Sequence, residues 1–148
     1  MIQEAAQRAG LTLSEWVLNQ ILGKLQISFQ NLVGEIARSR DPQAARYLWA
    51  ELNDFLEGLS SEEFSRTVHL LPKENLKSFA ANFLAAMVEY AAFKKDAKTP
   101  AWTDKISPLE QPYFGSELSS LRAYLLSHSP APFRRRNIFV DASLGDRK

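Results

Sequence analysis

The sequence predicts an all-α single domain, 1–148, of about six to seven helices with a proline-rich loop and an extended C-terminal tail. Three observations carry that prediction. Apolar residues recur at i, i+3 and i+4 through most of residues 2–96. Caps and breakers such as Asp41-Pro42, Gly58 and Leu71-Pro72 punctuate this stretch at helix-length intervals. Five of the seven prolines fall between Pro100 and Val140, so most of the helix-forbidding chemistry is confined to one segment.

In order, residues 2–9 form a short helix ended by Gly10, a good left-handed cap. Ser14 can cap a second helix bearing Val17, Ile21, Leu22 and Leu25, and residues 28–39 continue as an amphipathic helix with Phe29, Leu32, Val33 and Ile36 on one stripe. Residues 43–57 follow, with Leu48, Leu52, Phe55 and Leu56 on one side and Trp49 beside them as core. Ser60 or Ser61 opens a short helix with a capping-box-like start. Residues 73–96 form the longest helix, whose aromatic stripe Phe79, Phe83, Tyr90 and Phe93 reads as core, with alanines that allow close helix approach. The N-terminal part is 1–70, and 71–148 holds the long helix, the proline-rich loop, a last helix over 116–127 and the tail.

Composition bounds the function. Lys plus Arg number 18 against 17 for Asp plus Glu, so no global field marks a nucleic-acid or membrane binder. Residues 130–148 carry five basic and two acidic side chains, which makes the tail the place for a polyanion if one binds. The absence of cysteine excludes disulfides, thiolate metal sites and thiol nucleophiles. No run of apolar residues is long enough for a membrane span, and a cytoplasmic protein is expected.

No catalytic, cofactor or metal motif stands out. The only histidines are His69 and His128; there is no G-x-S-x-G, no phosphate-cradling glycine loop and no metal-ligand spacing. Glu62 and Glu63 are explained by helix capping. One pair remains: Arg122 and His128, spaced as RAYLLSH, resemble the R-x(4–6)-H signature of HEPN-type ribonucleases. That resemblance implies phosphate binding by Arg122 and acid–base cleavage of RNA by His128. Ala123 departs from the polar residue that usually follows the arginine.

The run Arg134, Arg135 and Arg136 admits three readings: a phosphate patch, a solvated charge run, or a network pinning the loop through carboxylates such as Asp104, Glu110 or Glu117. The third is preferred, with one arginine inward and two outward along an extended segment, because Phe133 and Ile138–Val140 anchor both flanks.

Two further resemblances bear on function. The turn Gly10, Thr12, Ser14, Glu15, Trp16 resembles the helical half of ribbon-helix-helix proteins, without the DNA-reading strand that precedes that half. The patterns P-x-W-T (Pro100, Trp102, Thr103) and P-L-E-x-P-(W/Y)-F (Pro108–Glu110, Pro112–Phe114) lead into L-R-A (Leu121–Ala123), Ser129-Pro130 and Phe133–Ala142. Together they resemble the end of an uncharacterised bacterial family encoded beside nucleotidyltransferase-like genes. This resemblance implies a non-enzymatic, antitoxin-like interaction protein that binds a nucleotidyltransferase-like partner and uses no cofactor. The expected contact residues are Trp102, Tyr113, Phe114, Phe133, Arg134, Arg135, Arg136 and Phe139. DNA contact by residues 2–25, as autoregulation would require, and pairing into a homodimer are left open.

Overall fold

The structure, a computed structural model, describes residues 2–115 and 119–141. It is mostly helical, with seven α-helices and one two-stranded sheet among the described residues.

The first helix, α1 (Ile2–Arg8), stops at Gly10, whose φ of 72° turns the chain back. Helix α2 (Leu13–Arg38) is capped by Thr12 rather than Ser14. The Thr12 hydroxyl accepts from the Glu15 amide, and the Glu15 carboxylate accepts from the Thr12 amide. With no proline in it, α2 runs unbroken for 26 residues, about 39 Å. Its buried side chains all lie at Leu22 or beyond, so the first two and a half turns overhang the body and expose Leu13, Val17, Leu18 and Ile21.

Helix α3 (Pro42–Glu57) begins at an Asp41 cap with proline in its first turn and ends at Gly58. Helix α4 (Ser61–Thr67) carries the capping box formed by Ser60 and Glu63. Helix α5 is Ser78–Lys95, starting five residues later than expected from periodicity. The Lys73 amide donates to Gln30 Oε1 on α2 and Glu74 pairs with Arg38, so this segment is held by α2 instead of winding into the helix.

Helix α5 is the central post. Residues 82–88, Ala91 and Ala92 are all buried, so the helix is covered on nearly every side. Ala85, Ala86 and Ala92 have no exposed surface, and their size lets α3, α4 and the C-terminal segment approach closely. Around α5 sit Phe29 and Val33 of α2, Leu52 and Leu56 of α3, Phe64 of α4, and Phe133, Ile138 and Val140 from the end of the chain. Phe83 makes edge contacts with both Trp49 and Phe133, which links three parts of the core. The expected stripe fails at one position: Phe93 is 78% exposed, although Ala91 and Ala92 beside it in the same turn are buried, so only one side of the last turns is covered.

After α5, a 3₁₀ turn (Ala101–Lys105) leads to β1 (Tyr113–Phe114), then α6 (Ser119–His128), α7 (Ala131–Arg134) and β2 (Ile138–Phe139). The strands pair in parallel, Tyr113 opposite Ile138 and Phe114 opposite Phe139, with α6 and α7 as the crossover. The tail is therefore not simply extended: Ser-Pro-Ala-Pro enters a one-turn helix, which proline tolerates at its start. No helix among the described residues is long and apolar enough to cross a membrane.

Candidate functional site

The proline-rich segment and the tail form a clasp over α5, and Arg136 locks it. Arg136 is only 6% exposed. Its Nε donates to Glu89 Oε1 at 2.7 Å, and Nη2 reaches the same oxygen. Nη1 donates to Asn82 Oδ1 at 3.0 Å and to the Ile106 carbonyl at 3.1 Å, while Nη2 donates to the Thr103 carbonyl at 2.7 Å. Every N–H of the guanidinium therefore has an acceptor, the condition under which a buried charge is tolerated. Asn82 and Glu89 stand two turns apart on one face of α5, so a single fork binds the helix and the loop at once.

The remaining groups of this network are also satisfied. Asn82 Nδ2 donates to the Ser78 and Ser107 carbonyls at 3.0 and 2.9 Å, and Asn137 Nδ2 donates to the Leu109 carbonyl at 2.9 Å. Asn137 holds φ at 64°, a left-handed conformation that asparagine tolerates better than most residues, and this turns the chain from α7 into β2. One arginine does face inward and two outward. However, the pinning carboxylate is Glu89 on α5, and the loop is held by its carbonyls. Asp104 and Glu110 are exposed, and Glu117 lies outside the described residues.

This geometry divides the eight expected contact residues. Trp102 is 5% exposed, with Nε1 donating to the Val68 carbonyl at 2.8 Å, and Phe133 is completely buried. Together with Arg136 they build the clasp from inside, so no partner can touch them while it is closed. Tyr113, Phe114, Arg134, Arg135 and Phe139 remain at the surface or half-buried. Tyr113 is 42% exposed and packs one face on Phe79. Phe114 and Phe139, opposite each other in the sheet, stack at 5.0 Å and 20°, and the Arg122 guanidinium lies 5.1 Å from the Phe114 ring. The result is a layered surface of arginine and two phenyl rings, with Tyr113 on the opposite face of the strand, against Phe79.

Arg122 and His128 are committed to different neighbours. Six residues along a helix place them about 120° apart around its axis. His128 stacks on Tyr124 at 3.9 Å, and its Nδ1 donates to the Tyr124 carbonyl at 2.9 Å, whereas Arg122 faces Phe114. No interaction joins the two among the described residues. Nor does any group of three or more His, Asp or Glu there have the arrangement of a metal site.

A second concave feature was not expected. A groove of about 770 Å³ runs between the end of α5 and the segment from His128 to Arg135, lined by Glu89, Tyr90, Phe93, Asp96, Pro130 and Pro132 among others. Of the groups that shape the clasp and groove, Asn82 and Glu89 have no role in the sequence reading, and Phe93, which the stripe assigns to the core, lies exposed. Asn82 and Glu89 did carry a signal, as polar residues spaced by seven inside an otherwise apolar helix. No family model matches this chain, and neither a curated protein nor a solved structure matches it.

Proposed function

We propose that this chain is a non-enzymatic interaction protein that binds a protein partner through the outer surface of the clasp. The observation that carries this reading is the stack of Arg122, Phe114 and Phe139. Aromatic residues and arginine are the side chains from which binding hot spots are made. They are held here on a short sheet whose backing is rigid: Arg136 fixes the segment from inside, so little conformational freedom is lost on binding. For the partner we propose a nucleotidyltransferase-like protein encoded by the adjoining gene, in an antitoxin-like relationship. Support for that identity comes from the pattern Pro100–Ala142 alone.

The α1–α2 hairpin is the second place where a partner fits. Its charged side chains up to residue 25, Glu4, Arg8, Glu15 and Lys24, cancel, and its overhanging face is apolar. Phosphate binding draws on clustered Lys and Arg, so DNA contact by residues 2–25 gains nothing from this surface. The ribonuclease alternative likewise gains nothing from an arginine and a histidine engaged with separate rings.

The test is co-purification with the product of the neighbouring gene. Native protein is expected to hold the nucleotidyltransferase-like partner, and Phe114→Ala with Phe139→Ala is expected to weaken binding at least tenfold while the melting transition remains cooperative. Partner binding unaffected by both changes would remove this surface from consideration. RNA cleavage lost in Arg122→Ala and His128→Ala would replace the interaction reading with the enzymatic one.

A further inference from the structure

We propose that the groove between the last turns of α5 and the segment Pro130–Arg135 is a docking site for a partner segment carrying an aromatic side chain next to a carboxylate. This inference rests on the reading of the chain as a protein-binding module and gives that module a second, chemically distinct contact.

The apolar half of the argument is Phe93. Its neighbours Ala91 and Ala92 are buried, yet its ring is 78% exposed over the groove. Burying a side chain of this size is favourable, and this fold leaves that gain unrealised. The other walls are also apolar and fixed. Tyr90 is held edge-on by Phe133 at 6.2 Å, with the Lys94 ammonium 4.6 Å from its ring, and Pro130 and Pro132 have locked backbones. A volume of about 770 Å³ accommodates one large side chain and its flanking backbone. Because Phe93 remains so open, the feature is a trough, which a chain segment can cross, rather than a chamber that closes around a small molecule.

The polar half is a surplus of positive charge. Glu89 carries one negative charge and faces two guanidinium groups. Arg136 takes Oε1 in a fully satisfied, buried geometry. Arg135 is left 3.6 Å from Oε2, with its side chain 68% exposed at the groove edge. A pair at that distance and exposure contributes little, so Arg135 is free to exchange it for a better-placed acceptor. His128 lines the same groove. Its Nδ1 is engaged by the Tyr124 carbonyl and the Ser127 hydroxyl, and Nε2 has no hydrogen-bond partner among the described residues.

Asp96 lines the trough at the carboxyl end of α5, where Lys94 and Lys95 offset its charge, and Arg135 stands at the Glu89 end. An acidic group is drawn to Arg135, whose own ion pair is long and exposed. The aromatic ring then falls on Phe93 and Tyr90, which sets the direction in which the segment lies.

The test is an amide-resolved NMR titration of the full chain. The probe is an acetylated, amidated tetrapeptide of tryptophan, two glutamates and alanine, and the control has lysines in place of the glutamates. Saturable shifts confined to Phe93, His128 and Arg135 are expected with the acidic peptide, with at least tenfold weaker binding of the lysine peptide. Phe93→Ser and Arg135→Gln, both at exposed positions, are each expected to weaken the acidic peptide at least fivefold with unchanged melting temperature. The proposal is overturned by no saturable shift at millimolar peptide, by equal binding of the two peptides, or by shifts that fall on Phe114 and Phe139 instead. If the peptide fails while the neighbouring gene product still co-purifies, the groove assignment falls and the interaction reading stands. If the peptide binds and that product does not, the groove stands and the proposed partner falls.

Discussion

Arg136 and Glu89, 47 residues apart in the chain, meet through a hydrogen bond of 2.7 Å from Nε to Oε1, with the arginine buried. Removing one member of a buried pair strands the other, so Arg136→Ala is expected to cost about 3–5 kcal/mol in urea unfolding. Arg136→Lys keeps the charge but not the fork, and is expected to recover only part of that loss. Arg135→Ala, at an exposed position, should cost less than about 1 kcal/mol. Equal costs for Arg135→Ala and Arg136→Ala would mean that the buried fork does not hold the clasp.

Asn82 joins the same network through Nη1 of Arg136 and through the Ser107 carbonyl. Asn82→Ala and Arg136→Ala therefore remove overlapping sets of bonds. A double-mutant cycle should give a coupling of about 1–3 kcal/mol, and additive losses would refute a shared network.

Trp102 reports on the other anchor of the loop. Trp102→Phe keeps most of the apolar bulk but leaves the Val68 carbonyl without the indole donor, at an expected cost of about 1–3 kcal/mol by chemical denaturation. Full truncation to alanine should cost about 3–5 kcal/mol.

Gly23 lies within α2, and a methyl group placed there would meet nothing within 4 Å. Gly23→Ala should raise stability by about 0.5–1 kcal/mol, since glycine is the poorer helix former by that amount. A decrease in melting temperature would contradict the open geometry at this position.

Two carboxyls set an acid limit. The Lys94 ammonium, as hydrogen-bond partner and as nearby charge, holds Glu57 below its ordinary value of 4.5, and the Ser60 backbone amide followed by its hydroxyl does the same for Glu63. The folded state therefore binds fewer protons than the unfolded chain in this range. Their stabilisation is complete above the ordinary value and is lost as pH falls through the depressed folded values. Lys94→Met should reduce the dependence of melting temperature on pH below 4.5, while Lys98→Met should leave it unchanged.

The helices were legible where cap chemistry and apolar period agree, as at Asp41-Pro42 and at Ser60 with Glu63. The start of α2 was misplaced by two residues because Thr12 and Ser14 both have cap chemistry. Glu15, three residues after Thr12, decides between them. Helix α7 forms where two prolines suggest an extended linker, since proline is well tolerated in a first turn. That one arginine of three turns inward is as expected, but not by the alternation of an extended segment, since Arg134 lies in α7 and Arg135 and Arg136 in the turn that follows. Its carboxylate partner is not readable, since pairing over 47 residues has no local signature. For the same reason Trp102 and Phe133 could be recognised as important but not as inaccessible. Phe93 has the spacing of a core residue and is exposed because the last turns of α5 are covered only on the side of Ala91 and Ala92.

The depth of Phe133, Ile138 and Val140 has a consequence for how the protein is made. All three lie in the core against α5, yet a ribosome supplies them after every other residue of that core. Until they emerge, the face of α5 that they cover stays bare on the nascent chain, and exposed apolar surface of that kind invites misassembly. A stop codon or frameshift ahead of Phe133 would thus leave the domain without one wall of its interior. Release of such a chain should yield aggregates rather than a smaller working protein, so the reading frame through Val140 acts as a quality check on the whole domain.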